Sequence, residues 1–267
     1  MAIKAPVAAW AIESIKIVYS ICMSEVLVIV GRFSVYTLSL FVILAYFWYG
    51  FVVYKKGLEY RYATESLLDL AVLTGIFSWV GARLSFVLTH FSTFETNWLR
   101  VFLLSTYPGY DYLGLLVGLV VGLGILSRRG EVKLSDGVDL SGLGLSGAMA
   151  FERLGRVFSG RITLVFGAPL EIFQAFLFLL IFVWLWKLEG EYRTFDWYRF
   201  RKTQAKSGFV FGSFLFLSGI VVGFSSLLLG GVSVLVGMIV VYCQSGRSLS
   251  YDVKLLPFVK RWYTKSK

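Results

Sequence analysis

The sequence predicts an all-α, polytopic integral membrane protein that crosses the bilayer about seven times, and three observations predict it. Mean hydropathy is +0.75, with 57% of the 267 residues hydrophobic and only 16% charged, a balance too apolar for a water-soluble domain of this length. Unbroken apolar runs approach the length that a helix needs to cross hydrocarbon, and they lack the short alternating pattern of barrel strands. Inside hydrocarbon every backbone N–H and C=O must find a partner within the protein, so such runs are helices. Finally, the placement of Lys and Arg along the chain sets the number and direction of the spans.

In chain order, residues 1–34 are expected to form an outer, interfacial arm. The stretch up to about Val30 carries Glu13 and Glu25 within its apolar pattern, which fits neither a cleaved signal peptide nor a full span. A seven-helix membrane domain is expected over 35–242, with spans at about 35–54, 67–89, 110–127, 134–151, 169–186, 209–227 and 228–242, followed by a basic cytoplasmic tail at 243–267. Six spans follow from hydropathy. The fourth, LSDGVDLSGLGLSGAMAF, is glycine-rich and contains Asp136 and Asp139, so charge has to decide it. With seven spans and the N-terminus outside, the inner segments hold Lys55, Lys56 and Arg61, then Arg128, Arg129 and Lys133. They also hold six basic residues in 187–206 and six in the tail, eighteen of the 26 Lys and Arg in all. Removing the fourth span would export the whole 187–206 loop, against the positive-inside rule.

The net charge of +10 is therefore largely topology, met by anionic headgroups, and implies no nucleic-acid partner. Cys22 and Cys243 stand far apart without paired spacing, and the single histidine, His90, lies at the outer end of the second span. Neither a disulfide nor a metal site is expected, and no cofactor is called for.

Function is expected where charge enters the membrane. Arg83 lies six residues short of the outer end of its span, roughly 9 Å deep at the helical rise, within reach of a buried partner or of outer headgroups by snorkelling. Glu152, Arg153, Arg156 and Arg161 follow the fourth span, on the side where arginine is disfavoured. Arg153 and Arg156 are three apart, a spacing that would let two guanidinium forks hold one phosphate; pairing with Glu152 and lipid is the alternative. Tyr36 opens the first span and Tyr112 the third at the same level. Together these residues point to an anionic lipid headgroup as ligand.

The order of these segments resembles the bacterial prolipoprotein diacylglyceryl transferases from about residue 31 to 242. GRFSVYTLSLF is similar to the family's first-span segment with its tyrosine, and GARLSFVL (81–88) to its Gly-Gly-Arg-Leu-Gly-Tyr-Val-Leu stretch. YLGLLVG (112–118) resembles His-Gly-Gly-Leu-Leu-Gly, and ERLGRVFSG (152–160) the signature Gly-Arg-Leu-Gly-Asn-Phe-Ile-Asn-Gly. PLEIFQA (169–175) resembles Pro-Thr-Gln-Leu-Tyr-Glu-Ala. The resemblance implies transfer of the sn-1,2-diacylglyceryl group from phosphatidylglycerol to the lipobox cysteine of a prolipoprotein in the bacterial cytoplasmic membrane. The partners it implies are phosphatidylglycerol, prolipoprotein signal peptides and membrane lipids.

By that resemblance Tyr36, Arg83 and Arg153 carry over, with Arg153 and Arg83 on the phosphate. The family histidine aligns with Tyr112, a poor base near neutral pH. The two signature asparagines become Arg156 and Ser159, the acidic residue after them becomes Arg161, and the sixth-span arginine and glutamate become Val222 and Ser226. Tyr112, Asp111 and Arg153 are thus the expected catalytic set. Tyr36, Arg83, Arg153, Arg156, Arg161 and Glu152 are the expected substrate-binding set. A relative that binds anionic phospholipid or lipoprotein precursors without turnover is the alternative. A transporter ranks last, since no internal repeat is present.

Overall fold

A computed structural model describes residues 26–30, 33–95, 101, 109–165, 168–193 and 206–245. Most of the arm expected at 1–34, most of the 187–206 loop and the tail beyond 245 lie outside the described residues.

Among the described residues, seven helices of fifteen or more residues make up the body, one in each segment where a span is expected. They are α1 (Thr37–Glu59), α2 (Thr64–Thr89), α4 (Tyr112–Arg128), α5 (Leu134–Phe158), α6 (Leu170–Arg193), α7 (Phe209–Gly223) and α8 (Leu227–Gln244). A single turn, α3 (Phe91–Phe94), follows α2. Four of them, α1, α2, α6 and α8, are long and apolar enough to cross a membrane; α4 and α7 are shorter apolar helices. Large apolar side chains such as Phe47, Leu88 and Leu228 point outward, 67%, 72% and 73% exposed, the inverse of a water-soluble surface and natural against lipid.

Two short antiparallel pairs depart from a purely helical reading: β1 (Val26–Val30) with β2 (Phe33–Tyr36), and β3 (Leu164–Val165) with β4 (Ala168–Pro169). Each leads into a helix. Runs this short carry no periodicity strong enough to separate strand from apolar helix.

Helices consecutive in the chain run antiparallel, so α1, α4, α6 and α8 begin at one end of the bundle, called here the Tyr36 end, where α2, α5 and α7 finish. The centre is α5, the segment with the weakest hydropathy. Its residues from Asp139 to Ala150 are all buried, and it packs against α1, α6, α7 and α4. Central position explains its composition. A helix enclosed by protein needs no lipid-compatible surface, and small residues let its neighbours approach closely. A Cβ on Gly144 would lie 2.8 Å from the Tyr49 ring, and one on Gly147 2.1 Å from the Trp48 indole nitrogen.

Asp139, the anomaly of that segment, has a structural task. Its carboxylate accepts from the backbone N–H groups of Gly208 (2.7 Å) and Phe211 (2.8 Å), two donors that the first turn of α7 leaves without helical partners. Tyr49 ties three helices together, its hydroxyl 2.7 Å from Thr74 Oγ1 and 3.0 Å from Ser141 Oγ. At the same end as Asp139, buried Lys56 contacts Glu59 (2.7 Å) and Glu189 (2.9 Å), and Tyr60 donates to Glu189.

Candidate functional site

Polar groups inside an apolar bundle are costly unless paired, and at the Asp139 end Asp139, Lys56 and Glu189 are paired within the protein, while one enclosed carboxylate oxygen of Glu131 has no hydrogen bond among the described residues. The Tyr36 end differs. There the C-terminal turns of α5 present Glu152, Arg153 and Arg156, which the sequence places beyond the span and the structure places inside the helix. The helix continues seven residues past 151 because RLGRVF keeps helix-compatible side chains up to the stop at Ser159 and Gly160, where Gly160 takes a φ of +73°.

Arg153 is buried, only 7% exposed. Its Nε lies 3.3 Å from Glu152 Oε2, close enough for ion pairing but poorly aligned, so neither atom makes a hydrogen bond among the described residues. Arg156, more exposed, donates from Nε to Glu152 Oε1. One carboxylate therefore faces two guanidinium groups. Glu171, on α6, and Tyr112, on α4, are within electrostatic range of Arg153. Glu171 is already engaged, both its oxygens accepting from Thr163 N at 2.9 and 3.0 Å, which fastens the segment after α5 to the start of α6.

The Tyr112 hydroxyl lies 2.7 Å from Ser218 Oγ on α7 and 3.4 Å from Ser233 Oγ on α8. Asp111 immediately precedes α4; its N–H donates to the Ala82 carbonyl (3.1 Å), and its carboxylate accepts from the Ser85 hydroxyl. Arg83 is buried between the rings of Phe86 and Phe94, 5.6 and 5.5 Å from their centroids. It donates from Nε to Val101 O (2.9 Å) and from Nη1 to Gly109 O (3.1 Å). Snorkelling is therefore not its conformation here: it clamps main-chain carbonyls between α2 and α4. Tyr36, half-buried, ends β2 opposite Val26 and sits at the N-cap of α1. Arg161 is exposed, its N–H donating to Arg156 O at 2.9 Å.

The fold thus brings Tyr112, Glu152, Arg153 and Arg156 to one end, with Asp111 and Arg83 bonded separately at the α2–α4 side of that end. Sequence reasoning missed Gln174. It is fully buried on α6, donates from Nε2 to Val221 O (2.9 Å) and Ser225 Oγ (2.7 Å), and leaves its Oε1 without a hydrogen-bond partner among the described residues. The available signal was an amide inside an apolar run, one turn after Glu171. Val222, aligned with a family arginine, is buried, and its carbonyl accepts from the N–H groups of Ser225 and Ser226 at the α7–α8 turn. Among the described residues no group of three or more His, Cys, Asp and Glu could hold a metal ion.

No protein-family model matches the chain. It is 28% identical over 145 residues to a protein of Caldanaerobacter subterraneus subsp. tengcongensis named phosphatidylglycerol--prolipoprotein diacylglyceryl transferase, the match covering 54% of each. The chain therefore spans about half the length of that curated relative.

Proposed function

We propose that this chain is a divergent prolipoprotein diacylglyceryl transferase of the bacterial cytoplasmic membrane, with seven spans, its N-terminus outside and its C-terminus in the cytoplasm. The observation that carries the reading is Arg153: a buried guanidinium with an unaligned Nε, in the segment most similar to the family signature, against Glu152 and within electrostatic range of Tyr112 at one end of an apolar bundle. A charge kept there without full hydrogen bonding is expensive to the fold and has a use if an anion completes its shell.

In the proposed reaction the lipobox cysteine loses its proton and its sulfur attacks the sn-3 carbon of the diacylglyceryl group of phosphatidylglycerol. A C–S bond forms, the C–O bond to phosphate breaks, and glycerol phosphate departs with the electron pair. Arg153 and Arg156 hold the phosphate and stabilise its growing charge. Glu152 orients both arginines. Asp111 is the nearest carboxylate in sequence to Tyr112 and accepts the thiol proton, while Tyr112 positions the reacting groups. Arg83 acts by holding the carbonyls of Val101 and Gly109, and Tyr36 and Arg161 contact the lipid headgroup at the rim.

A second reading is a lipid-binding relative without turnover. The hydrogen bonding of the Tyr112 hydroxyl to Ser218 and Ser233 favours it, because that hydroxyl is then a helix tie. The two are separated by comparing Arg153→Ala with the parent protein for retention of labelled phosphatidylglycerol and for transfer of label to a lipobox peptide. A transferase loses both in the variant, whereas a binding relative shows lipid retention lost and no transfer in either protein.

A further inference from the structure

A groove of about 280 Å³ runs between α1 and α6 from the middle of the bundle, at Trp48, toward the end opposite Arg153, at Lys55. Both helices lean on α5, and they meet through the rings of Trp48 and Phe182, whose centroids are 5.4 Å apart. Trp48, Phe51, Val52, Phe182, Val183 and Trp186 line the groove. Phe51 and Val183 are 54% and 62% exposed, so it opens outward, toward lipid in a spanning arrangement. From Trp48 to Lys55 it runs about 10 Å along the helix axis, and Lys55 lies roughly 28 Å along α1 from Tyr36, both at the helical rise.

One charge marks its end. Lys55 lines the groove and is exposed. Its ammonium lies 5.4 Å from the Trp186 ring centroid and 5.9 Å from that of Phe51. The neighbouring Lys56 turns inward to Glu59 and Glu189, whereas Lys55 has no carboxylate within ion-pair distance among the described residues. Aromatic faces attract an ammonium but do not neutralise it. An apolar groove ending at a cation without a carboxylate partner among the described residues, with a tryptophan at the boundary, complements a molecule with a hydrocarbon tail and an anionic head.

We propose that this groove holds one acyl chain of an anionic glycerophospholipid of the surrounding bilayer, with its phosphate on Lys55. The site is separate from the transfer site proposed above and stands or falls without it. Phosphatidylglycerol carrying a diazirine on its acyl chain is mixed into phosphatidylcholine nanodiscs holding the full chain, and crosslinked peptides are identified by mass spectrometry. The expected result is labelling at 48–55 and 182–186 that is at least five-fold stronger than with the equivalent phosphatidylcholine probe. Lys55→Gln should erase that headgroup preference, and Val183→Trp, at an exposed position that fills the groove from its rim, should lower labelling with both probes. Arg153→Ala should leave it unchanged. Equal labelling by the two probes, or a headgroup preference that survives Lys55→Gln, would overturn the proposal and reduce the groove to ordinary annular contact.

Discussion

Arg153 and Asp139 are both charged residues buried on α5, and their surroundings separate them. Asp139 accepts from Gly208 and Phe211 at the start of α7, whereas Nε of Arg153 makes no hydrogen bond among the described residues. Asp139→Ala is therefore expected to leave two buried N–H donors unpaired and to cost about 1–3 kcal/mol, read as a lower melting temperature in detergent. Asp139→Asn keeps an acceptor oxygen and should cost less. Arg153→Ala should leave melting close to the parent value and lower transfer by about 10²-fold or more. Arg153→Lys should restore only part, since a point charge lacks the fork that grips a phosphate. Equal melting losses in Arg153→Ala and Asp139→Ala, with transfer intact, would make Arg153 a structural residue. The sequence singled out Arg153 because arginine is unexpected at that level of the chain. It could not show that Arg83 binds carbonyls of Val101 and Gly109, because those partners are defined only once the chain after α2 folds back.

Among the elements, α2 and α4 show most clearly how backbone packing positions the site. They cross at glycines: a Cβ on Gly118 would lie 2.0 Å from the Phe77 carbonyl oxygen, and one on Gly114 2.3 Å from that of Gly81. Such contacts let two helices approach to backbone distance. Gly118→Ala is expected to force them apart, costing about 1–3 kcal/mol as an overpacked contact and displacing Tyr112 and Asp111 at the start of α4. Gly124→Ala, on the same helix with nothing within 4 Å of the added carbon, should be tolerated. Melting of the two variants side by side checks this, and equal effects would contradict the close-crossing account. Helix positions were legible because apolar runs of spanning length have few other solutions. Helix ends were not: α5 runs on to Phe158 and α6 to Arg193, through charged residues that lower hydropathy without breaking a helix. The β1–β2 and β3–β4 pairs were too short to announce themselves.

For the whole molecule, the central position of α5 reconciles a poorly hydrophobic segment with a membrane fold, and it supports the seven-span arrangement proposed here. That arrangement places Cys243, an exposed thiol near the end of α8, on the cytoplasmic side. In a Cys22→Ser variant a membrane-impermeant maleimide should label Cys243 in inverted vesicles and not in intact spheroplasts; labelling of the spheroplasts would reverse the topology. The activity proposed for the Tyr36 end is transfer itself. Its most direct measurement is the intact mass of a lipobox peptide incubated with the purified protein and phosphatidylglycerol. The expected result is a peptide heavier by one diacylglyceryl group on its cysteine, with glycerol phosphate released in equal amount. An unmodified peptide, from folded protein that still retains phosphatidylglycerol, would contradict it and leave a lipid-binding protein.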